Sequence, residues 1–235
     1  MKLILTNDDG IDAPGIAALA SIMKEFGTLV VVAPDNAQSG VGHKVTTDAP
    51  IRIEQTAPGR YRVYGTPADC TRIALTHIAP DASWVIAGIN NGGNLGADIY
   101  MSGTVAAVRE ATLLGYPAIA VSQYLARNRE VDWRLTACRA MPILRTLIQD
   151  SLEPGHFWNI NLPHPPGNST CLQFEYCKLD TMPLDVRFEK DKNHMIYTGD
   201  YHKRPRQPGR DVDICFSGKI TVTKMSLENS YGTLP

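Results

Sequence analysis

Two adjacent acidic residues follow the first apolar segment of the chain. Asp8 and Asp9 lie in the motif Asn-Asp-Asp-Gly, directly after the strand-like segment Lys2–Thr6. In an open α/β sheet, ligands bind in the crevice at the carboxyl ends of the strands. Carboxylate oxygens favour hard cations such as Mg2+, Mn2+ and Ca2+. The motif therefore predicts a metal site suited to phosphate chemistry, while a surface turn rich in Asn, Asp and Gly is an alternative of equal weight.

A second polar loop, residues 34–43, follows the apolar strand predicted at Leu29–Ala33. Ser39 in this loop can present its hydroxyl to a metal, although a plain turn residue is the commoner role of such a serine. Asp35 could bind the ribose of a dinucleotide, but that site requires G-x-G-x-x-G after the first strand. The acidic motif stands there instead and would repel a pyrophosphate, so an NAD site is disfavoured. His43 is either an acid or phosphate donor or a packing residue, and the sequence favours neither.

A loop rich in Asn and Gly, residues 88–98, follows a third apolar strand at Trp84–Ile89. Asn90 and Asn94 each offer an amide carbonyl to a metal and an amide NH2 to a phosphate oxygen. The sequence Ser-Gly-Thr at 102–104 then begins a helix, and a helix N-terminus binds anions. The serine of that sequence also suits a helix N-cap, a role compatible with phosphate binding.

The segments around these loops alternate between strand and helix in the first half of the chain. Apolar residues at helical spacing predict a helix after the acidic motif, and Thr66-Pro67 with Asp69 is typical of a helix start. Such alternation predicts βαβ units and a largely parallel sheet, and therefore an α/β fold. The remaining predicted elements are hairpin strands at 51–54 and 61–64, helices at 104–114 and 133–148, and a strand at 118–121.

Beyond about residue 154, prolines interrupt the pattern and only short extended segments remain. We therefore predict a core at residues 1–153 and a β-rich C-terminal appendage at residues 154–235, which is not expected to fold independently. Lys219–Lys224 is predicted to be a lone strand that must pair elsewhere, so the appendage is predicted to be an oligomerisation arm. Tyr201–Arg210 contains four basic residues, and a solvated loop is favoured over an anion-binding patch.

Composition excludes several classes of protein. The chain has 235 residues, of which 43% are hydrophobic, enough for one well-buried domain with or without an appendage. A net charge of −1 provides no overall field that would attract nucleic acid or a membrane surface. The five cysteines form no C-x-x-C pair, and the apolar N-terminal segment ends after Leu5. These features predict a cytoplasmic protein without disulfides, signal peptide or membrane span.

Five motifs follow one another across roughly residues 1–122. They are Asn-Asp-Asp-Gly at 7–10 with Ala-Pro-Gly at 13–15, Ala-Pro-Asp at 33–35 with Ser-Gly at 39–40, Gly-Thr-Pro-Ala-Asp-Cys at 65–70, Gly-Ile-Asn-x-Gly-x-Asn-Leu-Gly at 88–96, and Ser-Gly-Thr-Val at 102–105. In sequence and spacing they resemble the SurE family, the stationary-phase survival proteins. The segment at 218–223 also resembles the last strand of that family.

The resemblance implies a metal-dependent phosphatase acting on nucleoside monophosphates, a 5′/3′-nucleotidase, with activity on short polyphosphate in some members. It implies a Rossmann-like three-layer α/β sandwich whose C-terminal elements exchange between the subunits of a homodimer or homotetramer. No nucleic acid polymer or membrane is expected as a partner. By position, the residues implied as metal ligands are Asp8, Asp9, Ser39 and Asn90, and those at the phosphate end are Asn94 and Ser102.

The ligand types suggest a mechanism. Four oxygen donors favour one Mg2+ or Mn2+ per subunit over Zn2+. Asn94, Ser102 and the backbone N–H groups of Gly103 and Thr104 are predicted to hold the equatorial phosphate oxygens, where stabilisation is mainly electrostatic. Whether one Asp acts as a base or as a covalent nucleophile stays open. A nucleotide-binding regulatory module without turnover is the main alternative, and an NAD oxidoreductase is the third.

Overall fold

The computed structural model describes residues 1–127, 129–164 and 169–228. Eleven strands and five helices lie within these residues, together with short 3-10 or π turns at 24–26, 74–78, 96–100 and 201–203. The strands are β1 (Lys2–Thr6), β2 (Thr28–Pro34), β3 (Ile53–Ala57), β4 (Arg60–Val63), β5 (Trp84–Asn91), β6 (Ala118–Gln123), β7 (His156–Leu162), β8 (Phe174–Tyr176), β9 (Phe188–Asp191), β10 (His194–Tyr197) and β11 (Ile220–Ser226). The helices are α1 (Pro14–Met23), α2 (Pro67–Ile73), α3 (Gly103–Leu113), α4 (Trp133–Gln149) and α5 (Asp211–Phe216).

Nine of the strands form one sheet in the order β3-β4-β2-β1-β5-β6-β7-β11-β8. The six strands from β4 to β7 in that order are mutually parallel. β1 lies between β2 and β5: β2, β3 and β4 lie on one side of β1, and the chain crosses to the other side between β4 and β5. This reversal of strand order is the place where open α/β sheets bind ligands. The predicted acidic motif therefore lies at the topological switch point.

Helices cover both faces of the sheet. Alternate residues of β1 point to opposite faces: Leu3 and Leu5 pack with α1 and α4, whereas Ile4 packs with α2 and α3. All three side chains are fully buried, as expected for a central parallel strand. The predicted α/β fold with three layers and a mostly parallel sheet is confirmed.

The first two helices begin as the sequence predicts. Thr66 accepts a hydrogen bond from the backbone N–H of Asp69, and the Asp69 carboxylate accepts one from the backbone N–H of Thr66. Helix α1 lies so close to β5 that a Cβ atom at Gly15 would be 1.9 Å from the carbonyl oxygen of Ile89. Glycine at that position thus brings α1 against the end of β5.

The C-terminal part of the chain differs from the sequence-based prediction. β7 and β11 extend the main sheet, and β11 is antiparallel to β7 and parallel to β8. The predicted lone strand at Lys219–Lys224 therefore pairs within its own chain and not across a subunit boundary, with partners that are distant in sequence. The division at residue 153 stays a prediction.

A small hairpin separates from this sheet. β9 and β10 pair with each other in a two-stranded sheet. Every residue of both strands is exposed, including Phe188, Met195, Ile196 and Tyr197. In the described part of the chain, no helix is both long and apolar enough to cross a membrane.

Candidate active site

The three predicted loops meet in one pocket of about 220 Å3 at the carboxyl end of the sheet. Five of the predicted site residues line it, namely Asp8, Ser39, Asn90, Asn94 and Ser102, together with Gly40, Asn91, Asp98 and Met101. A larger groove of about 850 Å3 lies beside β8 and β11 and contains none of the predicted site residues. The smaller pocket is therefore the candidate site, because it collects the groups able to do chemistry.

Asp8 is the most constrained of these residues. Its side chain is buried, with 5% of the residue exposed, and Oδ1 accepts a hydrogen bond of 2.5 Å from the Thr104 hydroxyl. Burial raises the pKa of the Asp8 carboxyl to about 6; the Thr104 hydroxyl opposes this increase, and the charge of Asp9 adds to it. A Cβ atom at Gly103 would lie 2.8 Å from the Cβ of Asp8, so the start of α3 touches this carboxylate directly.

Asp9 is less buried and links two of the loops. Its Oδ2 accepts a hydrogen bond of 2.9 Å from the backbone N–H of Asn91. Burial raises the pKa of the Asp9 carboxyl, and that N–H donor opposes the increase. The backbone carbonyl of Asp8 accepts a bond of 2.7 Å from the N–H of Gln38, which ties the acidic loop to the Ser39 loop. Two neighbouring carboxylates with raised pKa values form a site whose charge a cation would offset.

Asn90 has its amide orientation set by a neighbour. Its NH2 donates to the carbonyl of Gly92 at 2.8 Å, which leaves Oδ1 as the atom available to a ligand. With the hydroxyl of exposed Ser39 and the Asp8 carboxylate, the pocket offers oxygen donors from three of the four implied metal ligands. Asp9 is not among the lining residues and bonds instead to Asn91, which is. Oxygen donors fit Mg2+ or Mn2+. Among the described residues, no group of three or more His, Cys, Asp or Glu side chains is placed to hold a metal.

Asn94 is held by side chains of two strands, β6 and β7. Its Nδ2 donates to the Ser122 hydroxyl on β6 at 2.7 Å. Its backbone N–H donates to Oδ1 of Asn161 at 2.7 Å, and its carbonyl accepts from Nδ2 of Asn161 at 3.0 Å and Nδ2 of Asn159 at 2.9 Å. We call these three backbone bonds the asparagine clamp. It fixes the loop that carries Asn94 at the pocket.

Ser102 performs the structural role that the sequence left open. Its Oγ accepts a bond of 3.0 Å from the backbone N–H of Val105, so it is the N-cap of α3. It also lines the pocket, and capping does not remove it from the site. The first N–H groups of a helix have no carbonyl partner within the helix. Those of Gly103 and Thr104 lie beside Asp8, and the Thr104 N–H helps to lower the Asp8 pKa.

His43 does not line the pocket. Its Nε2 forms a hydrogen bond of 2.7 Å with Glu110, whose other oxygen accepts from Nε of Arg72 at 2.6 Å. Glu110 is buried. Of the two roles that the sequence allowed for His43, the geometry favours packing: the histidine fastens the end of the Ser39 loop to α3.

Part of the segment Tyr201–Arg210, which contains four basic residues, is buried. Arg204 is buried and donates from Nη1 to the Asp98 carboxylate at 2.7 Å, and the Tyr201 hydroxyl donates to the same carboxylate at 2.8 Å. The expectation of a solvated loop is therefore wrong at Arg204, because its partner lies more than one hundred residues away. No local pattern could have shown this contact.

Sequence reasoning also missed the residues that hold Asn94. Residues 158–162 form one of the short extended segments predicted beyond residue 154, and Asn159 and Asn161 alternate along it, which places both amides on one face. Buried amides require hydrogen-bond partners, so two on the same face of a buried strand indicate an internal polar network. That signal was present in the sequence and points to a partner that only the fold identifies.

Asp8→Asn is expected to stabilise the protein in EDTA at pH 7.5. The folded-state pKa of about 6 lies above the unfolded value, so the folded protein binds the proton more tightly. The contribution of the protonated Asp8 carboxyl to the free energy of unfolding is fully present below about pH 4 and is lost as the pH rises through about 6. The variant should therefore gain about 3 kcal/mol in free energy of unfolding at pH 7.5 and far less at pH 4, measured by urea denaturation.

Asp12→Asn is the matched control for this experiment. Asp12 is exposed, and its bonds to Arg60 and Arg62 lower its pKa, so its amide should not stabilise the protein. A less stable Asp8→Asn protein at pH 7.5, or an equal gain at both pH values, would contradict the assigned burial of Asp8.

Asn161→Ala should lower the free energy of unfolding by more than Asn159→Ala. The first change leaves the buried N–H of Asn94 without an acceptor, a penalty of about 1–3 kcal/mol. The second leaves the Asn94 carbonyl bonded to Asn161 and removes Oδ1 of Asn159, a buried atom without a partner. The two variants delete the same atoms, so equal losses in urea denaturation would argue against the clamp.

The chain is similar to known proteins in both sequence and structure. The family model for the survival protein SurE matches residues 3–183. A relative from Synechocystis sp., described as a candidate 5′-nucleotidase, is 50% identical over 225 residues, which are 96% of this chain and 99% of that protein. A protein from Alkalilimnicola ehrlichii named 5′-nucleotidase SurE is 43% identical over 236 residues, 97% of this chain and 90% of that protein.

A solved structure agrees with these sequence matches. The crystal structure of the SurE protein from Aquifex aeolicus superposes with a TM-score of 0.86 at 29% identity. The match covers 98% of this chain and 95% of the other. The resemblance drawn from the five motifs is confirmed, and the chain belongs to the SurE family.

Proposed function

We propose that this protein is a metal-dependent 5′-nucleotidase that hydrolyses nucleoside monophosphates to nucleoside and inorganic phosphate. The observation that carries the proposal is the pocket at the switch point of the sheet, which collects Asp8, Ser39, Asn90, Asn94 and Ser102, with Asp9 bonded to the neighbouring Asn91. The names of the related proteins, 5′-nucleotidase in the bacterial SurE proteins, support the same activity.

The acidic pair, Ser39 and Asn90 are the proposed metal ligands. Asp8 and Asp9 provide negative charge, and Asn90 presents its carbonyl oxygen because its NH2 is held by Gly92. These hard oxygen donors favour Mg2+ or Mn2+ over Zn2+, at one cation per subunit. When bound, a divalent cation supplies Lewis acidity at a phosphate oxygen.

The phosphate end of the site is proposed to lie at the start of α3. Ser102 and Asn94 line the pocket there, and α3 begins at Gly103, so its first backbone N–H groups have no carbonyl partner within the helix. A helix N-terminus carries partial positive charge and attracts phosphate. These donors would hold the equatorial oxygens while charge develops on them in the transition state, which is where electrostatic stabilisation accelerates phosphoryl transfer.

The activity test uses purified full-length protein and a panel of substrates. Phosphate release is measured with nucleoside monophosphates, short polyphosphate and p-nitrophenyl phosphate, after EDTA treatment and after addition of Mg2+ or Mn2+. We expect turnover with added cation only, and a loss of at least about 100-fold in Asp8→Asn, typical of a removed group that stabilises the transition state. Asp12→Asn, an exposed carboxylate outside the pocket, should retain activity.

Two outcomes would oppose the proposal. Full turnover after chelation would exclude the metal mechanism. Binding of nucleotide and metal without release of phosphate would show a regulatory module that uses the same loops.

The protein is also proposed to form a homo-oligomer through the β9–β10 hairpin. An isolated two-stranded hairpin is marginally stable in water, so this one is expected to pack against another surface. Phe188, Met195, Ile196 and Tyr197 are each more than half exposed, at 53%, 61%, 51% and 58%. The exchange of C-terminal elements implied by the family resemblance makes a second copy of the chain the expected partner.

All five cysteines are free thiols, which fits the proposed cytoplasmic location.

Replacing Phe188, Met195 and Ile196 together by Thr should lower the oligomeric mass. Threonine keeps the strand propensity while it removes the apolar surface that a partner would bury. Light scattering after size exclusion should show a dimer or tetramer for the unmodified protein and a smaller species for the variant. Leu113→Ser, which removes an exposed apolar side chain outside the hairpin, should leave the mass unchanged. A monomeric unmodified protein at micromolar concentration would refute this assignment.

A further inference from the structure

Asp98 lines the candidate pocket but has no part in the proposed metal and phosphate chemistry. It lies one turn before Ser102, whose backbone N–H donates to the carbonyl of Asp98 at 3.1 Å. Its side chain is 15% exposed, in contrast to a surface carboxylate that water would fully solvate. A partly buried carboxylate at the edge of a phosphate site requires a partner, because burying an unpaired charge costs free energy.

The two oxygens of this carboxylate have different surroundings. Oδ2 accepts three hydrogen bonds: from the Tyr201 hydroxyl at 2.8 Å, from Nη1 of Arg204 at 2.7 Å and from the backbone N–H of Leu95 at 3.3 Å. No group among the described residues (1–127, 129–164 and 169–228) donates a hydrogen bond to Oδ1. Oδ1 is also not one of the buried polar atoms that lack a partner. The carboxylate is thus held firmly through one oxygen, and the other stays accessible.

The free oxygen is unsuited to the metal or to the phosphate. Asp98 does not form a three-carboxylate group with Asp8 and Asp9, since no such metal-binding group occurs among the described residues. A negatively charged carboxylate would repel the phosphate dianion. The group it can recognise is therefore a neutral hydrogen-bond donor of the substrate. The ribose hydroxyls of a nucleotide are such donors, and they are separated from the phosphate by only the ester oxygen and the first carbons of the sugar.

We infer that Asp98 is a specificity-determining residue whose Oδ1 accepts a hydrogen bond from a ribose hydroxyl of the substrate, with Arg204 and Tyr201 as the residues that position it. This inference rests on the proposed nucleotidase function and adds to it a preference for ribonucleotides over deoxyribonucleotides. A site built to bond a hydroxyl discriminates against an analogue without it, because its own polar group is then left unpaired.

The test compares kcat/KM for AMP, 2′-deoxy-AMP, 3′-deoxy-AMP and p-nitrophenyl phosphate with the full-length protein and Mg2+ or Mn2+. The unmodified protein should prefer AMP over at least one deoxynucleotide by about 10- to 100-fold, the factor expected for a hydrogen bond to a charged group. Asp98→Asn should reduce this ratio toward one by lowering the rate with AMP. Its rate with p-nitrophenyl phosphate, which has no ribose, should change far less.

Asp12→Asn is the control, since it neutralises an exposed carboxylate that does not line the pocket. The ratio of AMP to deoxynucleotide rates should persist in that variant. Equal rates with AMP and both deoxynucleotides in the unmodified protein would overturn the inference while leaving the nucleotidase assignment in place. The inference would also fail if Asp98→Asn lowered all four rates equally, or changed the preference among bases and not among sugars.

Discussion

The burial of Asp8 beside Asp9 is the constraint around which this site is built. Adjacent carboxylates repel each other, and the pKa of Asp8 is raised to about 6 because water has little access to it. The surroundings offset this charge with the Thr104 hydroxyl and with the start of α3, whose N-terminus carries partial positive charge. Only glycine at position 103 allows the helix to approach so closely. The placement of α3 against β1 is therefore inseparable from the acidic pair.

The loop at residues 92–98 shows how distant segments complete the site. Strands β6 and β7 hold Asn94 through Ser122 and the asparagine clamp. Segments near the C-terminus hold the rest of this loop. Arg204 bonds to Asp98, and the buried carboxylate of Asp211 accepts a hydrogen bond from the N–H of Gly96 at 2.7 Å. Five polar side chains from distant segments thus fix a loop that glycine would otherwise leave free. The C-terminal half contributes no predicted metal ligand, yet it determines where the pocket residues lie.

Most of the first half could be predicted from local pattern. The apolar strands, the capped start of α2 and the placement of three polar loops after strands depend on residues near one another, such as Thr66 and Asp69. The pairing of β11 and the six-residue helix α5 could not be predicted in this way, because their stability comes from contacts with remote residues. The same reason hides the roles of Arg204 and Asn161. A local pattern identifies which side chains can do chemistry, whereas long-range packing decides which of them face the pocket.

The bond between Gly96 and Asp211 joins residues 115 positions apart. Chains emerge from the ribosome with the N-terminal part first, and folding begins on the segments already released. The strands that carry the acidic pair and Ser39 are therefore available long before α5 and β11 have been synthesised. Until α5 docks, the loop around Asn94 lacks the bond from Gly96 to Asp211. The residues that carry the chemistry are thus synthesised before the last segment that fixes the pocket, so an unfinished chain lacks the assembled site.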